Sequence, residues 1–287
     1  MNRLSPNTHL LEQPSYAPST SSEEILFKTN SDGCIAIQSD WVSVFERMRR
    51  LGSYYLQTRH AYARLVTKTD PLTIHWDVQG KVASDPQKRL FLNPNKRHDI
   101  FARISRCDCC ESPGRIEFRN RYGMEVMQIC CPPDIKAIDW AKAIAECTQD
   151  SHSIEGISEG HPIIPGDAQP IPLRPCSLAY LFDGAHKNKT SLAVTVVTTG
   201  IVHRETIKPN YIYDAEQLLT VYGGSTTLQF GNGATRGFFL LKNSDTPRLL
   251  IGGPDNAQLL TISPTQDPAS LEFFNSFLGP FLGKQNC

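Results

Sequence analysis

The chain reads as an α+β protein made of two tandem structural repeats, each a large antiparallel β-meander flanked by helices. Three observations predict this. Runs of alternating apolar and polar residues are separated by turn residues, amphipathic helical patterns flank those runs, and a second series of segments repeats the first. The 287 residues suffice for one large domain or two smaller ones, and 40% hydrophobic content can bury a sizeable core.

Residues 1–22, rich in Ser, Pro, Thr and Asn, read as a flexible N-terminal segment. The first repeat spans 23–156. SSEEILFK predicts a short helix with a serine cap, and DWVSVFERMRRLG an amphipathic one, with Trp41, Val42, Phe45 and Met48 toward the core and Gly52 as its stop. Strand-like segments follow: SYYLQTRHAYARLVTKT, PLTIHWDV, KRLFLN, HDIFARISRC, GRIEFRN and MEVMQICC. The Asp-Pro, Asn-Pro-Asn, Ser-Pro-Gly and Tyr-Gly breaks between them argue for an antiparallel meander. PPDIKAIDWAKAIAEC closes the unit as a helix with proline near its start.

Residues 157–175 hold five prolines and read as a linker. The second repeat, 176–287, opens with a helix in PCSLAYLFDGAHKNKT. The strand candidates SLAVTVVTTGIVHRETI, TTLQFGN, GFFLLKN, PRLLIGG and AQLLTIS come next, and DPASLEFFNSFLGPFLG is the closing helix. The repeats stay in register over long stretches. Thr58 corresponds to Thr198, and Arg89 and Ile100 are 11 residues apart, as are Thr227 and Phe238. From Arg115 onward the alignment has no gap: Arg115 falls on Arg248, Ile129 on Ile262, Asp134 on Asp267 and Trp140 on Phe273. The extra residues of the first repeat are essentially the segment RCDCCE, an elaboration on one hairpin.

Composition excludes several functions. Lys+Arg and Asp+Glu balance at 29 each, so the charge does not point to nucleic acid or an anionic membrane. No apolar run is long enough to span a bilayer, and the N-terminus lacks an apolar signal core. The nine cysteines, several of them adjacent, do not suit a disulfide framework; reduced thiols in the cytoplasm are the expectation. Cys107, Cys109, Cys110, Cys130 and Cys131 fit paired zinc-ligand spacing poorly, leaving a metal site or labile disulfide behind plain thiols. His75 and Asp77 would share one face of a strand, as a solvated pair or an acid–base pair. GNGATRG lies between strands and reads as a turn. These residues alone name no reaction.

Four segments carry a family resemblance: SDWVSVFERMRRLGSYYLQTRHAYARLV, KRLFL, GRIEFRNRYGMEVMQICCPPD and LAVTVVTTGIVHRE. In order, spacing and duplication the chain resembles the HemS/ChuX-type haem-utilisation (haemin-degrading) family in its tandem two-repeat form. The resemblance implies a pseudo-dimer around stacked sheets that binds one haem beside the second sheet. It implies His152, in Asp150-Ser151-His152, as the axial ligand of the haem iron, with His161 as the fallback, and Arg89 as the cationic and catalytic group across the iron. Arg204, Lys208 and Tyr211 are candidates for the haem propionates. The implied function is intracellular haem and iron utilisation. Haem degradation, haem carriage, and a haem-free interaction or thiol/metal role are the open readings, with a haem importer and an electron donor as partners and a monomer or dimer as the assembly.

Overall fold

Alternation along the chain becomes two stacked sheets. The computed structural model describes residues 34–37, 41–60, 62–76, 82–93, 98–103, 112–120, 122–132, 134–136, 140, 164–215, 217–231, 233, 235–241, 246–254 and 257–282. The first half runs β1 (Cys34–Ile37), α1 (Trp41–Arg49), β2 (Tyr54–His60), β3 (Ala63–Thr69), β4 (His75–Trp76), β5 (Ala83–Ser84), β6 (Leu90–Leu92), β7 (His98–Arg103), β8 (Arg115–Asn120) and β9 (Glu125–Cys130). The second half runs β10 (Gln169–Ile171), α2 (Cys176–Lys187), β11 (Leu192–Thr198), β12 (Ile201–Ile207), β13 (Tyr211–Ala215), β14 (Leu218–Gly223), β15 (Thr226–Gly231), β16 (Gly237–Leu241), β17 (Arg248–Gly252), β18 (Gln258–Pro264) and α3 (Pro268–Leu282).

The strands form two nine-stranded antiparallel sheets, ordered β1-β7-β8-β9-β2-β3-β15-β14-β13 and β10-β16-β17-β18-β11-β12-β6-β5-β4. The two orders match place for place, β1 with β10 through β9 with β18, and β15-β14-β13 with β6-β5-β4. Each half thus lends three strands to the sheet built mainly by the other. Leu56 lies opposite Ile129, and Val194 opposite Ile262, so the register equates Thr58 with Val196, two residues from the expected Thr198. The two-residue shift keeps every side chain on its face, because strand side chains alternate with period two.

One face of each sheet turns toward the other. The first core joins Val44, Phe45 and Met48 of α1 to Tyr54, Leu56, Ile116, Phe118 and Ile129 of the first sheet and to Leu90, Leu92 and Ile201 of the second. Phe45 stacks on Phe118 at 6.4 Å between ring centroids. The second core joins Leu178, Leu181 and Phe182 of α2 and Phe274 and Leu278 of α3 to Val194, Leu249 and Ile262 of the second sheet and to Leu65, Leu228 and Phe230 of the first. α1 stops before Gly52, whose φ of +86° is open to glycine at little cost. α3 starts on Pro268, and Ser270 Oγ ties it to the Ser191 carbonyl at 2.5 Å. No helix among the described residues is long and apolar enough to cross a membrane.

The expected segment SYYLQTRHAYARLVTKT is a hairpin, β2 and β3, and SLAVTVVTTGIVHRETI is its counterpart, β11 and β12. Inside the proline-rich stretch 157–175, Gln169–Ile171 pair with β16 as an edge strand. The expected SSEEILFK helix lies outside the described residues; of the expected closing helix of the first repeat, Pro132, Asp134, Ile135, Lys136 and Trp140 are described, and Asp134 and Ile135 lie in a turn and bend, not a helix.

Candidate functional site on the outer face of the second sheet

The residues alternating with the core set point to the outer faces. On the second sheet Leu90, Leu92 and Ile201 face inward, so Phe91 and its cross-strand partner Val202 face outward. The same alternation puts Val197, opposite Val202, and Thr195 on this face, with Thr261 opposite Thr195 and then Leu250 opposite Thr261. Val197, Val202 and Phe91 are half-buried. The face is therefore a floor of small and apolar side chains. Cations adjoin it: Arg204, opposite Thr195, is exposed on β12 beside Arg89, and Arg248 is exposed on β17.

Arg89 lies one residue before β6, where the Arg204 N–H donates to its carbonyl at 2.7 Å. The loop that presents it is built around buried Asp85. One Asp85 carboxylate oxygen accepts the backbone N–H groups of Arg89 and Leu90, each at 2.7 Å, and the other lies 3.3 Å from Arg89 Nε. Lys88 takes a φ of +54° to close this turn, an uncommon conformation for a non-glycine residue. The Arg89 side chain keeps 30% of its surface exposed. Asp85 thus fixes the hairpin that carries Arg89, a role sequence reasoning missed. The Asp85-Pro86 turn pair was the available signal.

The corresponding face of the first sheet has a different chemistry. Register equates Val197 with Arg59, Val202 with Arg64, Thr195 with Gln57, Thr261 with Gln128 and Leu250 with Glu117. Glu117, 2% exposed, accepts from Arg115 at 2.8 Å and Arg119 at 2.5 Å and forms an ion pair with Arg103 at 2.9 Å, and Arg119 also lies 5.0 Å over the Phe101 ring. Arg64 donates to Gln57 at 2.8 Å, and Gln57 and Gln128 both donate to Glu125. Burial pushes the Glu117 carboxyl up, but Arg115, Arg103 and Arg119 outweigh it and hold it below the ordinary carboxylate value. Burial also raises Glu125, the negative Glu117 adds to the rise, and Gln128, Arg59 and Arg115 offset only part. Stability owed to Glu125 is present below its unfolded value and lost as pH rises through the native one. Glu125→Gln is therefore expected to raise the melting temperature at neutral pH and to flatten that alkaline loss, read by thermal scans across pH.

The remaining candidates separate. Arg204 stands with Arg89 on the second sheet, whereas Tyr211 lies on β13 at the edge of the first, paired with Tyr222. The structure therefore does not gather Arg204 and Tyr211 into one cluster. His152, His161, Asp77, Cys107, Cys109 and Cys110 lie outside the described residues. His203, fully buried on β12, shares the inward face of Ile201; its Nε2 lies 3.3 Å from Glu205, and it cannot serve the outer face. Among the described residues no cluster of His, Cys, Asp and Glu could hold a metal ion. Burial, with Asp134 adding, pushes the Cys131 thiol up to about 12, whereas Cys176 is exposed. A thiol reagent at pH 8 is expected to label Cys176 in the native protein and to reach Cys131 only on unfolding, read by mass spectrometry of digested peptides.

Two nine-stranded antiparallel sheets stacked through their apolar faces, with helices in both cores, define a known architectural class: the fold of the haem proteins ChuS and PhuS. In particular, the chain is similar to ChuS, an Escherichia coli haem oxygenase, with a TM-score of 0.69, 12% identity, and coverage of 86% of this chain and 89% of that one. It is equally similar to apo-PhuS, a haem-binding protein from Pseudomonas aeruginosa, with a TM-score of 0.69, 12% identity and 86% of each chain covered. Holo-PhuS matches with a TM-score of 0.66 and 11% identity over 83% of each chain. No family model matches the sequence, and no curated protein matches it.

Proposed function

We propose that this protein binds one haem on the outer face of its second sheet and serves intracellular haem and iron utilisation. The observation that carries this is the contrast between the equivalent faces. A porphyrin requires an apolar plane with cations near its carboxylates, and Phe91, Val197 and Val202, with Arg89 and Arg204 beside them, fit that requirement. Gln57, Arg59, Arg64 and Glu117 on the first sheet do not. The fold shared with ChuS and PhuS supports the reading. The tandem repeats 23–156 and 176–287, joined through 157–175, are the proposed origin of the matched strand orders.

In this reading His152 would ligate the haem iron, and Arg89, positioned by Asp85, would supply a cationic hydrogen-bond donor to the haem. Bound haem supplies the redox chemistry; the chain orients it and excludes water. Haem degradation with an electron donor and haem carriage from an importer both draw on this site. Titration of the purified protein with haemin tests the proposal. A saturable Soret shift near one equivalent is expected, and His152→Ala should weaken or alter it. No saturable shift would overturn the proposal, and an unchanged spectrum in the variant would overturn the ligand. Loss of the Soret band on adding ascorbate with catalase present separates degradation from carriage.

A further inference from the structure

The β2–β3 hairpin places two arginines directly opposite each other. Its closing pair is His60 and Ala63, and Arg59 and Arg64 are the next pair in. The closing pair of a two-residue hairpin exchanges its backbone hydrogen bonds, so Arg59 and Arg64 form a non-hydrogen-bonded pair, the kind whose side chains come closest. Both stand on the outer face with Gln57, because Leu56, Ala63 and Leu65 lie in the cores. Like charges directly opposite each other destabilise a sheet. The same place on the second sheet holds the neutral pair Val197 and Val202.

The groups around the two arginines leave their charge under-compensated. Arg64 commits three N–H groups to neutral amides. Its Nε and Nη2 donate to Gln57 Oε1, the first at 2.8 Å, and its Nη1 donates to Gln229 Oε1 at 3.4 Å. Among the described residues Arg64 pairs with no carboxylate. A guanidinium has five N–H groups, so two of Arg64's remain for another acceptor. Glu117 is shared among Arg103, Arg115 and Arg119. Arg59 draws on the charge of Glu125, but burial and the negative Glu117 push that carboxyl toward its neutral form. Gln57, 2% exposed and itself donating to Glu125 at 3.3 Å, holds the Arg64 head in place before any ligand arrives.

We propose that the Arg59–Arg64 pair is a phosphate-binding site, filled by inorganic phosphate or by the phosphoryl group of a larger molecule. A phosphate group carries up to two negative charges on tetrahedrally arranged oxygens. It can therefore accept from guanidinium groups on two neighbouring strands at once and offset their mutual repulsion. A carboxylate has one charge and two oxygens in one plane, which suits a single guanidinium fork. Arg59 and Arg64 are half-buried and keep part of their surface in solvent, so binding is weak, with a Kd on the order of 1 mM.

Nitrogen–proton NMR of the full chain without haem, at constant ionic strength with chloride as the balancing anion, tests this. Adding inorganic phosphate over about 0.1–20 mM, a range bracketing a Kd of that order, should shift the Arg64 Nε–H resonance saturably. Its absence from the spectrum of Arg64→Val identifies that resonance. Arg59→Val, which installs the residue found at the corresponding place on the second sheet, should weaken phosphate binding about tenfold or more while a cooperative thermal transition is retained. Lys187→Gln, on the exposed side of α2, should leave binding unchanged. Phenyl phosphate separates the two sources: tighter binding than phosphate marks the phosphoryl group of a larger molecule, and equal or weaker binding marks phosphate itself. No saturable shift, wild-type affinity in Arg59→Val, equal weakening in Lys187→Gln, or succinate binding as tightly as phosphate would each overturn the proposal. None of these outcomes bears on haem binding, which the proposed function assigns to the other sheet.

Discussion

Glu117→Gln is expected to destabilise the protein by about 3 kcal/mol at neutral pH, the scale for breaking a buried ion pair by removing one partner. Glu117 forms ion pairs with Arg103, Arg115 and Arg119 within 2.9 Å, and its removal as a charge leaves three neighbouring guanidinium groups without their shared carboxylate. The native carboxyl is held below its unfolded value, so its contribution is present above the unfolded pKa and is lost as pH falls through the native one. The loss in Glu117→Gln, measured by denaturant unfolding, should therefore be full at pH 7 and shrink toward zero in acid. A loss independent of pH would mean that packing, and not charge, dominates at this position.

Val197→Glu is expected to weaken haemin binding by about 100-fold or more, since burying a carboxylate against an apolar ligand without a partner costs several kcal/mol. Val197 is half-buried on the outer face of β11, opposite Val202. Its counterpart on the first sheet is Arg59, so Arg59→Glu supplies the matched control and should leave haemin affinity unchanged. Equal weakening in both variants would place the ligand elsewhere or point to a general loss of fold. Spectroscopic titration with a thermal scan of each variant separates these outcomes.

Much of the architecture was legible in the residues. The segments GRIEFRN and MEVMQICC became β8 and β9, and PRLLIGG and AQLLTIS became β17 and β18, because central strands carry enough apolar side chains for alternation to be read. β1, β5, β10, β13 and β14 were not assigned. Most are short or lie toward an edge, where one side of the strand meets solvent and the pattern weakens. β10 was concealed by Pro170, a residue that reads as linker but is tolerated at an edge. The exchange of β4–β6 and β13–β15 between sheets is a long-range pairing that no local pattern encodes.

The site was less legible. Arg89 was singled out through resemblance, while Asp85, which positions it, makes its contacts through a loop that periodicity does not describe. The contrast between Val197 and Arg59, or Leu250 and Glu117, is present in the aligned sequence. It acquires meaning only once pairing shows which side chains share an outer face.

The most direct measurement is the anomalous scattering of iron in crystals of the haemin complex. The account predicts a single iron position over the outer face of the second sheet, beside Arg89 and the Val197–Val202 pair, within coordination distance of a histidine. An iron over the first sheet, beside Glu117 and Arg64, or no ordered iron in crystals grown with stoichiometric haemin, would contradict it.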